Sequence, residues 1–179
     1  ADLLILEMLL DVDHSKILLN AALETGLPVW VGLSCCDSKF DNSVIGRNFR
    51  AEKEKSLIYD ENKYKDQPKY LPEDKIILLE DIIKSLTSLG GDVYGIMHTW
   101  FQDSIGGLKI LKNNWKGPIM FYPEIHKFDT NTHKAIITMT EEEFSNSILE
   151  LIDDQIQIVG GCCGVNDKHL KRLIQSISE

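Results

Sequence analysis

The sequence predicts an α/β fold of parallel (β/α) units, about the last five of the eight that close a TIM-type (β/α)8 barrel, so that the barrel is incomplete. Three observations predict it. Short apolar runs of strand length alternate with segments of helical period, the pattern of a parallel sheet covered by helices. The residues able to carry chemistry stand just past the ends of those runs, where the loops of a parallel barrel converge. Five units also fit a chain of 179 residues, whereas a whole barrel takes about 250. A doubly wound sheet is disfavoured. The one glycine-rich turn, Gly160-Gly161-Cys162-Cys163-Gly164, lacks the spacing of a dinucleotide or phosphate loop.

Asp2 to Met8 reads as the first strand, with Glu7 at its end. Asp13 is the expected N-cap of a helix from about His14, with Ile17, Leu18, Ala21 and Ala22 on one face and Gly26 as its stop. Pro28 to Leu33 is the second strand, closed by Ser34 and the Cys35-Cys36 pair. From Asp37 to about Pro72 the apolar residues lose their period, and between Arg50 and Lys75 seven acidic and seven basic side chains balance. A stretch this long without pattern predicts a surface excursion, around 37–72, from a single domain spanning 1–179.

Helical period returns with Ile76, Leu79, Ile82, Ile83 and Leu86 and stops at Gly90-Gly91. Val93 to Met97 is the third strand, with His98 and Thr99 just beyond. A helix through Leu108 and Leu111 leads to the fourth strand, Pro118 to Tyr122, with Glu124 past its end. Thr140 and Glu143 have capping-box spacing ahead of Phe144, Ile148 and Leu151. Ile156 to Val159 is the fifth strand and runs into the Cys162-Cys163 doublet. Leu170, Leu173, Ile174 and Ile177 mark a last amphipathic helix.

With 19 basic and 28 acidic side chains the formal charge is −9, which argues against a nucleic-acid or anionic-membrane partner. No apolar run reaches the roughly 18 residues of a membrane helix. The chain starts at Ala1 with buried-looking residues and no basic leader, and so reads as a piece of something longer. Four cysteines arranged as two adjacent pairs suit the cytoplasm better than an oxidising compartment.

Glu7, Cys35, Cys36, His98, Tyr122, Glu124, Cys162 and Cys163 therefore share one rim. Thiolates with an imidazole are a zinc ligand set, and His98, Cys162 and Cys163 supply the three protein ligands of a catalytic site with one position open. Their plainer readings are a tight glycine-flanked turn for the doublet and a hydrogen-bonded histidine at a strand end for His98. Cys35 and Cys36 read as rim or buried thiols, one of which could approach the metal in place of His98. His14, His126 and His133 have no pattern around them and read as solvent-facing.

Gly160-Gly161-Cys162-Cys163-Gly164, followed by Asn166-Asp167-Lys168-His169-Leu170, closely resembles the C-terminal signature of the homocysteine S-methyltransferase family. Asp2 to Glu7 is similar to that family's "ADLLLLET" strand, Leu27 to Val31 to its "LPVWVSF" strand, and Phe121 to Glu124 to its "YPN" segment. The resemblance runs in order along the chain and is poorest over 37–72. It implies a zinc enzyme on a (β/α)8 barrel that moves a methyl group onto the thiol of homocysteine, giving methionine. It also implies that Cys162 and Cys163 are paired zinc ligands. The third ligand, a cysteine in the family's "GVNC" segment, falls here at His98, a departure. Glu7 matches the family's glutamate for the homocysteine amino group. His169 matches a C-terminal "PEHI" histidine but sits a turn past the ligands, where capping or packing is its expected work.

The family's relatives take methyl groups from S-adenosylmethionine, S-methylmethionine, betaine or methylfolate, and the matched motifs do not choose among them. Exchanging one thiolate for His98 makes the zinc site neutral rather than singly negative, which predicts a less electron-rich substrate sulfur with metal binding kept. The rival readings are a non-catalytic barrel fragment that self-associates, a zinc- or thiol-binding module without methyl transfer, and a thiol redox module. Two open sheet edges predict a homo-oligomer that covers them.

Overall fold

The computed structural model describes residues 1–47, 76–129, 132 and 134–178. In chain order the elements are β1 (Leu4–Leu9), α1 (Val12–Leu23), β2 (Val29–Leu33), β3 (Cys35–Asp37), β4 (Val44–Gly46), α2 (Leu79–Thr87), β5 (Val93–Trp100), α3 (Phe101–Asn114), β6 (Ile119–Glu124), β7 (His126–Asp129), β8 (Lys134–Ile137), α4 (Glu141–Leu149), β9 (Ile156–Val159) and α5 (Asp167–Ser178). All five strands expected from the apolar runs form, and they make one sheet in the order β1-β2-β5-β6-β9, every neighbouring pair parallel. β1 and β9 are its edges, so the barrel is not closed.

Alternate residues of a strand share a face, and one face of this sheet is the core. Val29, Val31 and Leu33 of β2, Tyr94 and Ile96 of β5, and Ile119 and Phe121 of β6 are fully buried. They join one cluster with Leu19, Ile82, Ile83, Leu86, Leu111, Phe144 and Ile148 from the helices. The other face depends on two glycines. A Cβ at Gly95 would sit 2.2 Å from Met120 Cγ and 2.3 Å from the Met120 carbonyl oxygen. One at Gly32 would meet Met97 Cγ at 2.9 Å and Tyr122 Oη at 3.2 Å. Both side chains thus lie across Gly32, leading towards the rim.

The helix ends depart from expectation in ways the local bonding explains. The N-cap of α1 is Asp11, not Asp13: Asp11 Oδ1 accepts from the His14 amide at 2.9 Å. Asp13 instead places its charge in the first turn, where the helix dipole favours it. The left-handed residue after α1 is Gly26, at φ +71°. α2 starts at Leu79 rather than Ile76, because Leu78 bridges Ile45 and the Ile77 carbonyl accepts from the Gly46 amide at 3.0 Å. Thr140 and Glu143 form the reciprocal capping box as expected.

Among the described residues, two antiparallel hairpins, β3–β4 and β7–β8, pair separately from the main sheet, each following a strand end. They were not visible in the apolar pattern. Residues 37–47 of the segment expected to run over the surface include β4, whose Ile45 is fully buried. The rest of that segment, to Pro72, lies outside the described residues. No described helix is long and apolar enough to cross a membrane.

Candidate metal centre

The third strand runs past its expected end, and its register with β6 slips between Met97 and Trp100. A slip of this kind re-aims a side chain. Here it places His98 at φ +45°, a left-handed conformation uncommon for a residue with a Cβ. Neighbouring groups hold it there. The Ser34 hydroxyl donates to the His98 carbonyl at 2.7 Å, and Arg47 Nη1 donates to the same oxygen. Thr99 Oγ1 donates to the Met97 carbonyl at 2.9 Å and accepts from the Cys35 amide at 2.9 Å.

The cysteine doublet reaches the same place from β9. The Cys162 amide donates to the Pro123 carbonyl at 3.0 Å, and the Ile125 amide to the Cys163 carbonyl at 2.9 Å, fastening the turn to the end of β6. Gly164, at φ +91°, completes it against His126, where a Cβ would come 3.0 Å from His126 Cβ.

His98 Nδ1 lies 3.7 Å from Cys162 Sγ and 3.8 Å from Cys163 Sγ, and the two sulfurs are 3.8 Å apart. A tetrahedral ion with bonds of ~2.3 Å to sulfur and ~2.1 Å to nitrogen sets such separations at roughly 3.5–3.8 Å. The donor triangle therefore fits zinc in both chemistry and size. Burial, then the Arg47 charge and His126, push His98 down to about 4, with Glu7 opposing. At neutral pH the imidazole is uncharged and keeps a lone pair to offer. Burial pushes Cys162 up to about 11, with Cys163 and Glu124 adding to it.

Below this triangle sits an ion pair absent from the sequence reading. Arg47 Nη1 donates to Glu124 Oε1 at 2.9 Å, and both side chains are buried. Arg47 lies in the patternless stretch, which gave no cue to its role. Glu124 was legible as a strand-end residue and His126 was not, although a spacing of two along extended chain puts both on one side. His126 is half-buried, with Nδ1 enclosed and without a hydrogen-bond partner, which corrects its reading as solvent-facing. His14 is exposed as expected, and His133 lies outside the described residues.

Glu7 is exposed near the end of the edge strand β1, and its charge acts on both His98 and Tyr122. Cys35 and Cys36 are buried thiols in no disulfide and lie outside the donor triangle, and burial pushes Cys35 up to about 12. His169 packs: its ring is edge-on to Phe144 at 5.8 Å, and its Nδ1 lies 3.0 Å from Asn166 Oδ1.

The family model for homocysteine S-methyltransferase matches residues 78–177, just over half of the chain. The chain belongs to the homocysteine S-methyltransferase family. None of the curated proteins matches it in sequence. Its fold is similar to that of the homocysteine methyltransferase MmuM from Escherichia coli, solved in a metallated form. The TM-score is 0.61 at 13% identity, over 98% of this chain and 45% of that one. This family member thus spans less than half the length of the structure it resembles, and the likeness shows the fold. The matched segment contains His98, Cys162 and Cys163 and excludes Glu7 and Arg47.

Proposed function

We propose that this chain binds zinc through His98, Cys162 and Cys163 and carries the thiol-binding part of a methyl transfer to homocysteine that forms methionine. The donor triangle supports the reading most directly, with separations of 3.7 and 3.8 Å among one imidazole nitrogen and two sulfurs. Zinc held there supplies the positive charge that ionises a thiol whose ordinary value is about 8.5. The chain's own groups do the rest. The bulge at His98, tied down by Ser34 and Arg47, fixes the imidazole before any substrate arrives. Glu7, exposed on the same rim, takes the substrate ammonium. Burial and the nearby Glu7 charge hold the Tyr122 phenol in its protonated form, so it donates into the site.

The methyl donor is a second small molecule, one of the donor classes used by relatives. Four cysteines in no disulfide favour a reducing compartment such as the cytoplasm. A second reading, a self-associating barrel portion, rests on the two open edges, where Ile5 and Met8 of β1 are each 44% exposed. Light scattering gives an oligomer on that reading and on ours alike; a clean monomer removes the oligomer from both.

Titration of homocysteine into the zinc-loaded chain tests the proposal, followed by mass spectrometry for methionine with each donor class. Homocysteine binding that disappears in Cys162→Ala supports it. A folded, zinc-loaded chain that ignores homocysteine overturns it.

A further inference from the structure

Glu124 is one of the most enclosed polar side chains of the molecule, 1% exposed. Arg47 holds its Oε1. Its Oε2 has no hydrogen-bond partner; His98 Nδ1 is 3.4 Å away without hydrogen-bond alignment. His126 Nδ1 is a second enclosed polar atom with no hydrogen-bond partner. Two such orphans in one place are costly unless something satisfies them. Cys163 stands beside both. One ligand atom each from Glu124, His126 and Cys163 lie within 4.8 Å of one another.

We propose that Glu124, His126 and Cys163 form a second divalent-cation site beside the first, with the Cys163 sulfur shared between the two. The donors are one carboxylate oxygen, one imidazole nitrogen and one thiolate, a mixed set suited to zinc or cobalt(II) rather than to magnesium or calcium. The supporting shell is already built. Arg47 fixes one oxygen of Glu124 and leaves the other to coordinate, the way ligating carboxylates are oriented in metal sites. The backbone bonds from Ile125 to Cys163 and from Cys162 to Pro123 set the register of the two chain segments. Access is open, since Cys163 is exposed. Glu124 Oε2 lies 3.4 Å from His98 Nδ1, so the two groupings adjoin, but the first is made of His98, Cys162 and Cys163 without Glu124. Two cations sharing one thiolate repel each other, so this site fills after the first and more weakly.

The inference rests on the reading of His98, Cys162 and Cys163 as a metal centre, and zinc titration of the full chain against a chromophoric chelator separates the two. The expected result is two equivalents for the native chain, the second weaker. Glu124→Gln and His126→Phe each lose the second equivalent and keep the first within about threefold. His126→Phe guards against a folding defect in Glu124→Gln, and circular dichroism checks both. A single equivalent in the native chain, lost in His98→Ala, overturns the second site and leaves the first standing. A second equivalent that survives both variants also overturns it. No bound zinc at all overturns both.

Discussion

Arg47 and Glu124 are 77 residues apart in the chain and 2.9 Å apart in the fold. The same Arg47 nitrogen also donates to the carbonyl of His98. One guanidinium therefore joins the hairpin after β2, the bulge in β5 and the end of β6, the segments that carry or support the donor triangle.

Breaking this pair is expected to be severe. Arg47→Met leaves a buried carboxylate without its partner and costs about 3–5 kcal/mol. Arg47→Met/Glu124→Met together cost less than the sum of the singles, since no charge is then stranded. Urea unfolding of the metal-free proteins measures both. Equal additivity would show that the two side chains do not depend on each other.

His98→Cys is expected to keep its metal and to react faster. Three thiolates make the centre singly negative, and a bound substrate sulfur then carries more electron density. The rate at which homocysteine on the zinc-loaded protein is alkylated by methyl iodide rises about tenfold for each ~1.4 kcal/mol of barrier removed. A slower variant with full zinc content contradicts the charge argument.

Proton release governs metal uptake. Cys162, pushed up to about 11 chiefly by burial, holds its proton at neutral pH and gives it up on binding. Zinc affinity therefore weakens as pH falls, by about tenfold per pH unit from this thiol. The metal-free protein behaves oppositely at high pH. Cys162 and Cys35 start from 9.0 and rise to about 11 and about 12 in the fold, so the unfolded chain loses these protons first. Stability falls as pH rises above 9. Chelator competition and urea midpoints at a series of pH values check the two halves.

Two glycines, Gly95 within β5 and Gly160 just past β9, should respond differently. Gly95→Ala drives a methyl group into the Met120 backbone and costs about 2–4 kcal/mol. Gly160→Ala meets only Tyr122 Cβ at 3.5 Å, ordinary contact, and changes stability by less than about 1 kcal/mol. Thermal melts of the two variants measure the contrast.

The strands were legible because parallel strands buried on both faces are continuous apolar runs, as in Val29 to Leu33. His98, Cys162 and Cys163 were legible because each follows such a run directly. Arg47 was not: its partners come from β5 and β6, and nothing within its own stretch marks it. The two hairpins were also hidden. Cys35 to Asp37 and Val44 to Gly46 are only three residues each, too short for a period to show, and their pairing depends on the Asp37-to-Val44 turn rather than on apolar spacing. The bulge at His98 belongs to the same class, since Ser34 and Arg47 impose it from other elements.

Zinc content of the purified full chain, after removal of loosely held ions by gel filtration, tests the central claim most directly. The account predicts one tightly held zinc per chain, lost in His98→Ala and in Cys162→Ala while circular dichroism shows both variants folded. A folded native chain that retains no zinc, or a zinc that survives both replacements, contradicts it.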